Sequence, residues 1–250
     1  MHILYSILLI LFGAIIGYLI GSIPNAVIIG KIFFHRDPRE EGSKNSGGTN
    51  AGRVFGLKTG VVVIALDVLK IAIPFLIIYL IYTRIPLFSE IFGDSTTINP
   101  YGKGNTLMEL AYWIVPMFGI IGHCFSIYIK FQGGKAVSSF IGLAITSSWT
   151  AFPIIGLLFW LIVKITKKVS PASLISTLCF VIMSWVIYIL YIVLGPEISN
   201  YLMYFGFGPD ISIYFPCFTT LSFLIIVLRH RPNIKRLIDG NESNAYWIKK

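Results

Sequence analysis

AVSSFIGLAITSSWTAFPIIGLLFWLIV, residues 136–163, is an uncharged stretch of 28 residues. As one helix at 1.5 Å per residue it would be roughly 42 Å long, excessive for one crossing of a hydrocarbon core about 30 Å thick and short for two. Its middle favours two. Ser147, Ser148, Trp149 and Thr150 are followed by Pro153; a Ser or Thr hydroxyl can cap a new helix, and proline is tolerated in a first turn. Lys164, Lys167 and Lys168 can extend the second helix by carrying their ammonium groups to the interface on apolar stems.

The parity of that stretch sets the sidedness of the chain. Other uncharged runs of spanning length lie at 3–30, 110–129, 169–196 and 211–228, and the run at 59–82 is broken only by Asp67 and Lys70. Most of the 20 Lys and Arg fall in four clusters, at 31–58, 130–135, 164–168 and from 229 to the end. The positive-inside rule asks for all four in the cytoplasm, so an even number of crossings must separate any two. Two crossings within 136–163 satisfy this. The expectation is an all-α bundle of seven membrane spans, N-terminus outside and C-terminus cytoplasmic, with outer segments near 83–109 and 195–210 whose only cations are Arg84 and Lys103.

Composition agrees with the bilayer as main solvent: 56% of the residues are hydrophobic and 12% charged. No repeat, low-complexity tract or linker divides the chain, so residues 1–250 read as a single polytopic domain. The first apolar run lacks a preceding basic region and a small-x-small cleavage site, and reads as a retained span. Cys124, Cys179 and Cys217 lie far apart within apolar runs and read as packing residues, not as a disulfide or thiolate metal site. The net charge of +9 suits anionic lipid or an anionic substrate, while nucleic acid has no supporting motif.

Three polar segments carry the chemistry. Gly42 to Arg53 combines glycines, hydroxyls and amides (Ser43, Asn45, Thr49, Asn50) with an arginine fork, as an anion-binding loop would. Gly122-His123 is followed by Gly133-Gly134-Lys135 at a helix start near Ala136, where free N–H groups and the helix dipole favour phosphate. It is not a nucleotide-binding P-loop, because Ile129 stands where the first glycine belongs and Ala136 where Ser or Thr would hold magnesium. Arg229 to Leu237 follows the last span as a basic flank would, except that His230 and Asn233 have no part in that role. Asp67 and Lys70, three apart on one helix face, either neutralise each other or support this polar site.

Gly-Ser-x-Asn-x-Gly-x-Thr-Asn-x-x-Arg at 42–53, Gly-His then Gly-Gly-Lys at 122–135, and His-Arg-x-Asn-Ile-x-Arg-Leu-x-x-Gly-x-Glu at 230–242 resemble the motifs of the bacterial acyl-phosphate:glycerol-3-phosphate acyltransferase family. The likeness includes Gly21 to Pro24 and Asp67-x-x-Lys70 and runs nearly the whole chain. It implies seven spans in the bacterial inner membrane and a site facing the cytoplasm. The implied reaction takes acyl phosphate and glycerol 3-phosphate to lysophosphatidic acid and phosphate, without acyl-CoA, metal or other cofactor. Membrane lipid and the enzyme that makes acyl phosphate are the implied partners. By motif, Ser43, Arg53, Gly133, Gly134, Lys135, His230 and Asn233 match substrate-binding or catalytic positions, and Glu242 matches a structural acid. Ala136 departs from a family glycine and is expected to narrow the phosphate pocket by a methyl group; the outer segments are long, which should leave the chemistry alone.

On this reading Lys135, Arg53 and the Gly133–Gly134 backbone hold phosphate, Asn45, Asn50 or Asn233 donates to an oxyanion, and His230 or a substrate phosphate oxygen takes the hydroxyl proton. A Ser43 nucleophile is weaker, having no evident base. The His-x4-Asp signature of acyl-CoA enzymes is absent, since Ile7, Glu40, Tyr128 and Lys235 stand five beyond the histidines. A transporter of an organic anion or phospholipid remains the alternative, though its polar groups should lie near the midplane. A metal-dependent phosphatidyl transferase would need clustered carboxylates, which the sequence lacks.

Overall fold

The computed structural model describes residues 2–92, 106–148, 150–195, 211–245 and 247, and within them every regular element is helical. The chain runs α1 (His2–Gly21), α2 (Asn25–Phe34), α3 (Gly48–Phe55), α4 (Leu57–Arg84), α5 (Pro86–Phe92), α6 (Thr106–Cys124), a 3-10 turn (Ile127–Ile129), α7 (Val137–Ser147), α8 (Ala151–Thr166), α9 (Val169–Leu194), α10 (Tyr214–Arg229) and α11 (Arg231–Ile238). By length and composition four segments can cross a membrane: His2–Phe34, Leu57–Arg84, Thr106–Ile129 and Val169–Leu194. Val137–Ser147, Ala151–Thr166 and Tyr214–Arg229 are shorter apolar helices. Lys103 and most of the two outer segments lie outside the described residues.

The stretch at 136–163 is two helices. Ser148 leaves helical geometry at φ −158° and ψ 91°, and its Oγ accepts the Ala151 N–H at 3.4 Å, while Pro153 occupies the first turn of α8. Trp149, inside the break, is outside the described residues. A second break falls where the sequence reads as one span: α1 stops at Gly21, and α2 begins after Pro24, which has no N–H and disfavours helix at Ile23. The freed carbonyls find partners, Ile23 O accepting from Lys70 Nζ at 2.7 Å and Ser22 O from Ser126 Oγ.

Close helix packing fixes α1 against α6. Gly13, Gly17 and Gly21 repeat every four residues on α1, and a Cβ on Gly17 or Gly21 would stand 2.3 Å from Val115 O or 2.1 Å from Gly119 O. In lipid, where burial of apolar surface does not drive helices together, such backbone contact is a principal source of association. An aromatic core joins α4, α6, α7, α9 and α10: Phe75 lies tilted 5.0 Å from Trp113, Trp113 stacks 5.8 Å from Phe215, and Phe140 meets Phe180 edge-on at 5.5 Å. On α4, Ile71, Phe75 and Ile78 are buried whereas Ile73, Ile77 and Leu80 are exposed, the pattern of a helix with lipid on its outer face.

Gly21→Ala places a methyl group into the α6 backbone; a cost of about 1–3 kcal/mol is expected from overpacking. The melting temperature in detergent should fall by several degrees, and an unchanged melting point would remove this contact from the fold's foundations.

Candidate active site

Segments bearing three of the four basic clusters, with the start of α9 that follows the fourth, meet around one cavity of about 370 Å³. Its polar end is built by the loop before α3, the turn before α7, the start of α9, the α10–α11 junction and residues 242–244. Its apolar end runs between α7, α8 and α9, along Phe140, Ala144, Phe152, Ile155, Phe159 and Phe180. Among the predicted residues Ser43, Asn45, Thr49, Asn50, Arg53, Lys135, His230 and Asn233 line it; Gly133 and Gly134 do not.

The first loop is held by Asn50. Its Nδ2 donates to Pro38 O at 2.6 Å, Asn45 O at 2.9 Å and Glu41 O at 3.2 Å, and its Oδ1 accepts from Ser43 N at 2.7 Å and Ser43 Oγ at 3.0 Å. Its N–H groups are therefore committed within the loop, which corrects the expectation that Asn50 donates to an oxyanion. Ser43 has an amide oxygen for a partner and, among the described residues, no base to activate it as a nucleophile. Asn45 Oδ1 caps the turn by accepting Gly47 N–H at 2.9 Å, leaving its own Nδ2 available at the cavity. Ser46 Oγ reaches Gln132 O at 3.5 Å and so joins this loop to the second segment.

In that segment the two glycines play a different part from a phosphate cradle. Gly133 N–H donates to Cys124 O at 3.2 Å and Gly134 N–H to His123 O at 2.9 Å. Their carbonyls accept from Arg229, at 2.7 Å from Nη2 and 3.0 Å from Nε. Glycine is required because a Cβ would stand 2.0 Å from His123 O at position 133 and 2.2 Å from His123 Nε2 at position 134. The strap thus lies flat on the end of α6 and sets Lys135 at the cavity. Helix α7 begins directly after, and Val137 and Ser138 of its first turn line the cavity, which puts its N-terminal end at the polar end of the cavity.

Ala136 is fully buried at φ 64°, in the left-handed region that glycine adopts freely. It belongs to the main apolar core and does not line the cavity, so its methyl group does not narrow the pocket; the departure is one of backbone conformation, at about 1–2 kcal/mol.

His230 joins α10 to α11. Its Nδ1 lies 2.8 Å from Ile226 O, and since a carbonyl only accepts, Nδ1 carries the proton and Nε2 keeps its lone pair. Burial pushes the imidazole down to about 4; the Ile226 bond opposes this and nearby Lys135 adds to it, so the ring is neutral at physiological pH. Asn233 donates both Nδ2 bonds, to Ser170 Oγ at 2.8 Å and Glu242 Oε1 at 2.7 Å. Both Nδ2 hydrogens are thus engaged, while its buried Oδ1 has no partner among the described residues and is an acceptor awaiting a donor. Burial would raise the Glu242 carboxyl, yet hydrogen bonds from Ser170, Asn233 and Arg236 hold it below the usual range, as befits a structural acid.

Among the described residues Lys135 has no ion-pair partner, whereas Arg236 is bonded to Glu242 at 2.8 Å and Arg53 touches only the Ser243 hydroxyl at 3.2 Å. Burial pushes the Lys135 ammonium down to about 8, Arg236, Arg53 and Arg229 acting with it against Glu242. Asp67 both neutralises Lys70, at 2.9 Å, and supports the site: it accepts from Asn25 at 2.9 Å and Ser138 at 3.4 Å and faces His123 Nδ1 at 3.7 Å. Arg229, His123, Ser170 and Ser243 were outside the predicted site. Ser170, Ser173 and Ser176 follow helical spacing on an apolar helix, a stripe readable in the sequence, but nothing marks Arg229 as more than a basic flank.

A family model described as glycerol-3-phosphate acyltransferase matches residues 11–240. The chain is similar to the glycerol-3-phosphate acyltransferase of Staphylococcus aureus strain Newman, at 32% identity over 243 residues, covering 96% of this chain and all of that one. The same figures hold for the strain JH9 protein. Among solved structures it resembles PlsY, an integral membrane glycerol 3-phosphate acyltransferase. The TM-score is 0.66 for the glycerol 3-phosphate form and 0.64 for the lysophosphatidic acid form, with 26% identity and 94% of each chain covered.

With Lys135 at about 8, its charge is present below that pH and lost above it. Affinity for a small phosphomonoester, measured by calorimetry, should weaken by up to tenfold per pH unit above about 8. Lys135→Arg should flatten that dependence; a flat wild-type profile would take Lys135 out of phosphate binding.

Proposed function

Because this chain belongs to the glycerol-3-phosphate acyltransferase family, we propose that it draws its acyl group from acyl phosphate at the polar end of the cavity, on the cytoplasmic side of a bacterial inner membrane. It transfers an acyl group to glycerol 3-phosphate, giving lysophosphatidic acid. The observation that carries the donor assignment is the half-buried Lys135, without an ion-pair partner among the described residues, beside Arg53 at the mouth of an apolar groove, an arrangement suited to a phosphate attached to an alkyl chain. The acyl phosphate is the partner substrate, delivered by the enzyme that makes it. A topology of seven spans, N-terminus outside, is supported by the meeting of segments from three basic clusters at one cavity and by the Ala245 N–H bonded to Lys167 O of the fourth at 2.8 Å.

An acyl phosphate is already activated, so positioning and charge stabilisation are what the protein must supply. Lys135, Arg53 and the first turn of α7 hold the phosphates. His230 Nε2 accepts from the reacting hydroxyl of glycerol 3-phosphate, and Asn233 Oδ1 accepts from the second hydroxyl. As the new C–O bond forms and the C–O bond to phosphate breaks, the Asn45 amide is the donor left free for the carbonyl oxygen, a contribution typically on the order of 10²–10³ in rate. An imidazole at about 4 among cations is a poor final home for the proton. The departing phosphate, a dianion whose conjugate acid ionises at about 6, is better, so the proton ends on it.

Detergent-purified protein given palmitoyl phosphate and glycerol 3-phosphate should release lysophosphatidic acid and phosphate in equal amounts. Product with palmitoyl-CoA and none with palmitoyl phosphate would overturn the donor assignment.

The acceptor pair has its own consequence. Dihydroxyacetone phosphate carries a carbonyl where glycerol 3-phosphate carries the second hydroxyl, and would leave Asn233 Oδ1 facing another acceptor. Its kcat/KM should be lower by on the order of 10²-fold. Asn233→Ala should narrow that gap; equal use of the two acceptors by the wild type would remove Asn233 from substrate selection.

A further inference from the structure

Helix α8 presents Phe152, Gly156 and Phe159 at the i, i+4, i+7 spacing of one face, and all three line the cavity. Glycine inside a helix costs about 1 kcal/mol relative to alanine, so its presence calls for a cause. Neighbouring protein supplies one for Gly17, Gly21, Gly122 and Gly142, where a Cβ would stand 2.1–2.5 Å from a backbone oxygen. Gly56, Gly195 and Gly240 have open space but hold positive φ values of 94°, 92° and 71°. Gly156 meets neither condition: its backbone is helical, and a Cβ there would find nothing within 4 Å. Gly156 is exposed on a helix face that lines the cavity, so the space it leaves adjoins the cavity.

Its depth is informative. The end of α8 lies at the polar end, where Lys167 O takes the Ala245 N–H beside Ser170 and Glu242. Gly156 is ten residues before Thr166, about 15 Å along the helix. Phe180, ten residues into α9 from Ser170, lies at a matching depth on the facing helix and lines the same cavity. A fully extended chain advances about 3.3–3.6 Å per three bonds, roughly 1.2 Å per bond, so 15 Å is the reach of about a dozen carbons.

We infer that Gly156 determines acyl-chain length: the missing side chain between Phe152 and Phe159 lets chains longer than about a dozen carbons continue along the groove. The inference rests on the acyl-transfer reading above. Between two phenylalanines any branched side chain at 156 would fill the passage, while the polar end would keep its geometry because it lies three turns away.

The test uses full-length Gly156→Leu and Gly156→Ala in detergent, with kcat/KM measured for palmitoyl and decanoyl phosphate at saturating glycerol 3-phosphate. The palmitoyl-to-decanoyl ratio should fall at least tenfold in the leucine variant and by an intermediate factor in the alanine variant. A ratio within twofold of wild type overturns the inference, whether both activities hold or fall together. Inhibition by palmitoyl and decanoyl lysophosphatidic acid gives the same ratio from the product side. If the wild type rejects every acyl phosphate, the donor assignment fails while the inhibition ratio still decides Gly156. The alanine variant adds one methyl group to open space and keeps the comparison readable if the leucine variant does not fold.

Discussion

A helix interrupted at membrane depth leaves carbonyl groups that no water can reach, and each must find a donor within the protein. This constraint organises the molecule. The break at Pro24 is closed by Lys70 on Ile23 O and Ser126 on Ser22 O. Where α6 ends, Phe125 O takes the Tyr18 hydroxyl at 2.8 Å, and the carbonyls of His123 and Cys124 are paired with the Gly133–Gly134 strap, whose own carbonyls are taken by Arg229. The donors come from distant parts of the chain, so satisfying each break also pins two helices together. The residues left over at these junctions, Lys135 and His230, are the ones that face the cavity.

The same economy sorts the charges. Asp67 with Lys70, and Glu242 with Arg236, are pairs whose lone pairs are further satisfied by Asn25, Ser138, Ser170 and Asn233, the condition under which burying ions is tolerable. Lys135 lacks such a partner, and Arg229 fills its donors with carbonyls while its guanidinium stands 5.4 Å over the Phe125 ring. A half-buried cation with no ion-pair partner among the described residues is unfavourable for the empty protein. It becomes favourable when an anion arrives, so part of the binding energy is held in the unliganded fold as unmet solvation.

Much of this was legible from residue order. The break within 136–163 followed from a length that fits neither one nor two ideal crossings and from Ser, Thr and Pro at its centre. The meeting of three motifs at one place followed from the sidedness of charge. What could not be read was the direction in which polar groups point. Two glycines before a helix have the same composition whether their N–H groups face an anion or the chain ten residues earlier, and only Cys124 and His123 decide it. Asn45, Asn50 and Asn233 are equal as letters. Their amides separate only when Pro38, Glu41, Ser170 and Glu242 are seen to consume the donors of the last two. The second break was present in the sequence as Pro24, but an uncharged run from 3 to 30 hides a proline whose carbonyl partners lie 47 and 104 residues away.

On the proposed reaction, His230 and the substrate phosphate act as one proton-accepting system. His230 is held low by burial, with Lys135 adding to it. A phosphate dianion on Lys135 cancels that cationic influence and adds an opposite charge nearby, both of which raise the imidazole's affinity for a proton. The ring is therefore least basic in the empty site, where a proton would be wasted, and more basic when a phosphate is bound. Linkage requires the converse: a proton on His230 or Lys135 tightens the hold on phosphate, and its loss weakens it. With an acyl phosphate as the proposed donor, the leaving phosphate gains charge and basicity once its bond to the acyl group breaks and becomes the stronger acceptor. Imidazole can carry the proton only in passing, and Ile226 O, fixed on Nδ1, ensures that Nε2 is the nitrogen presented to the hydroxyl.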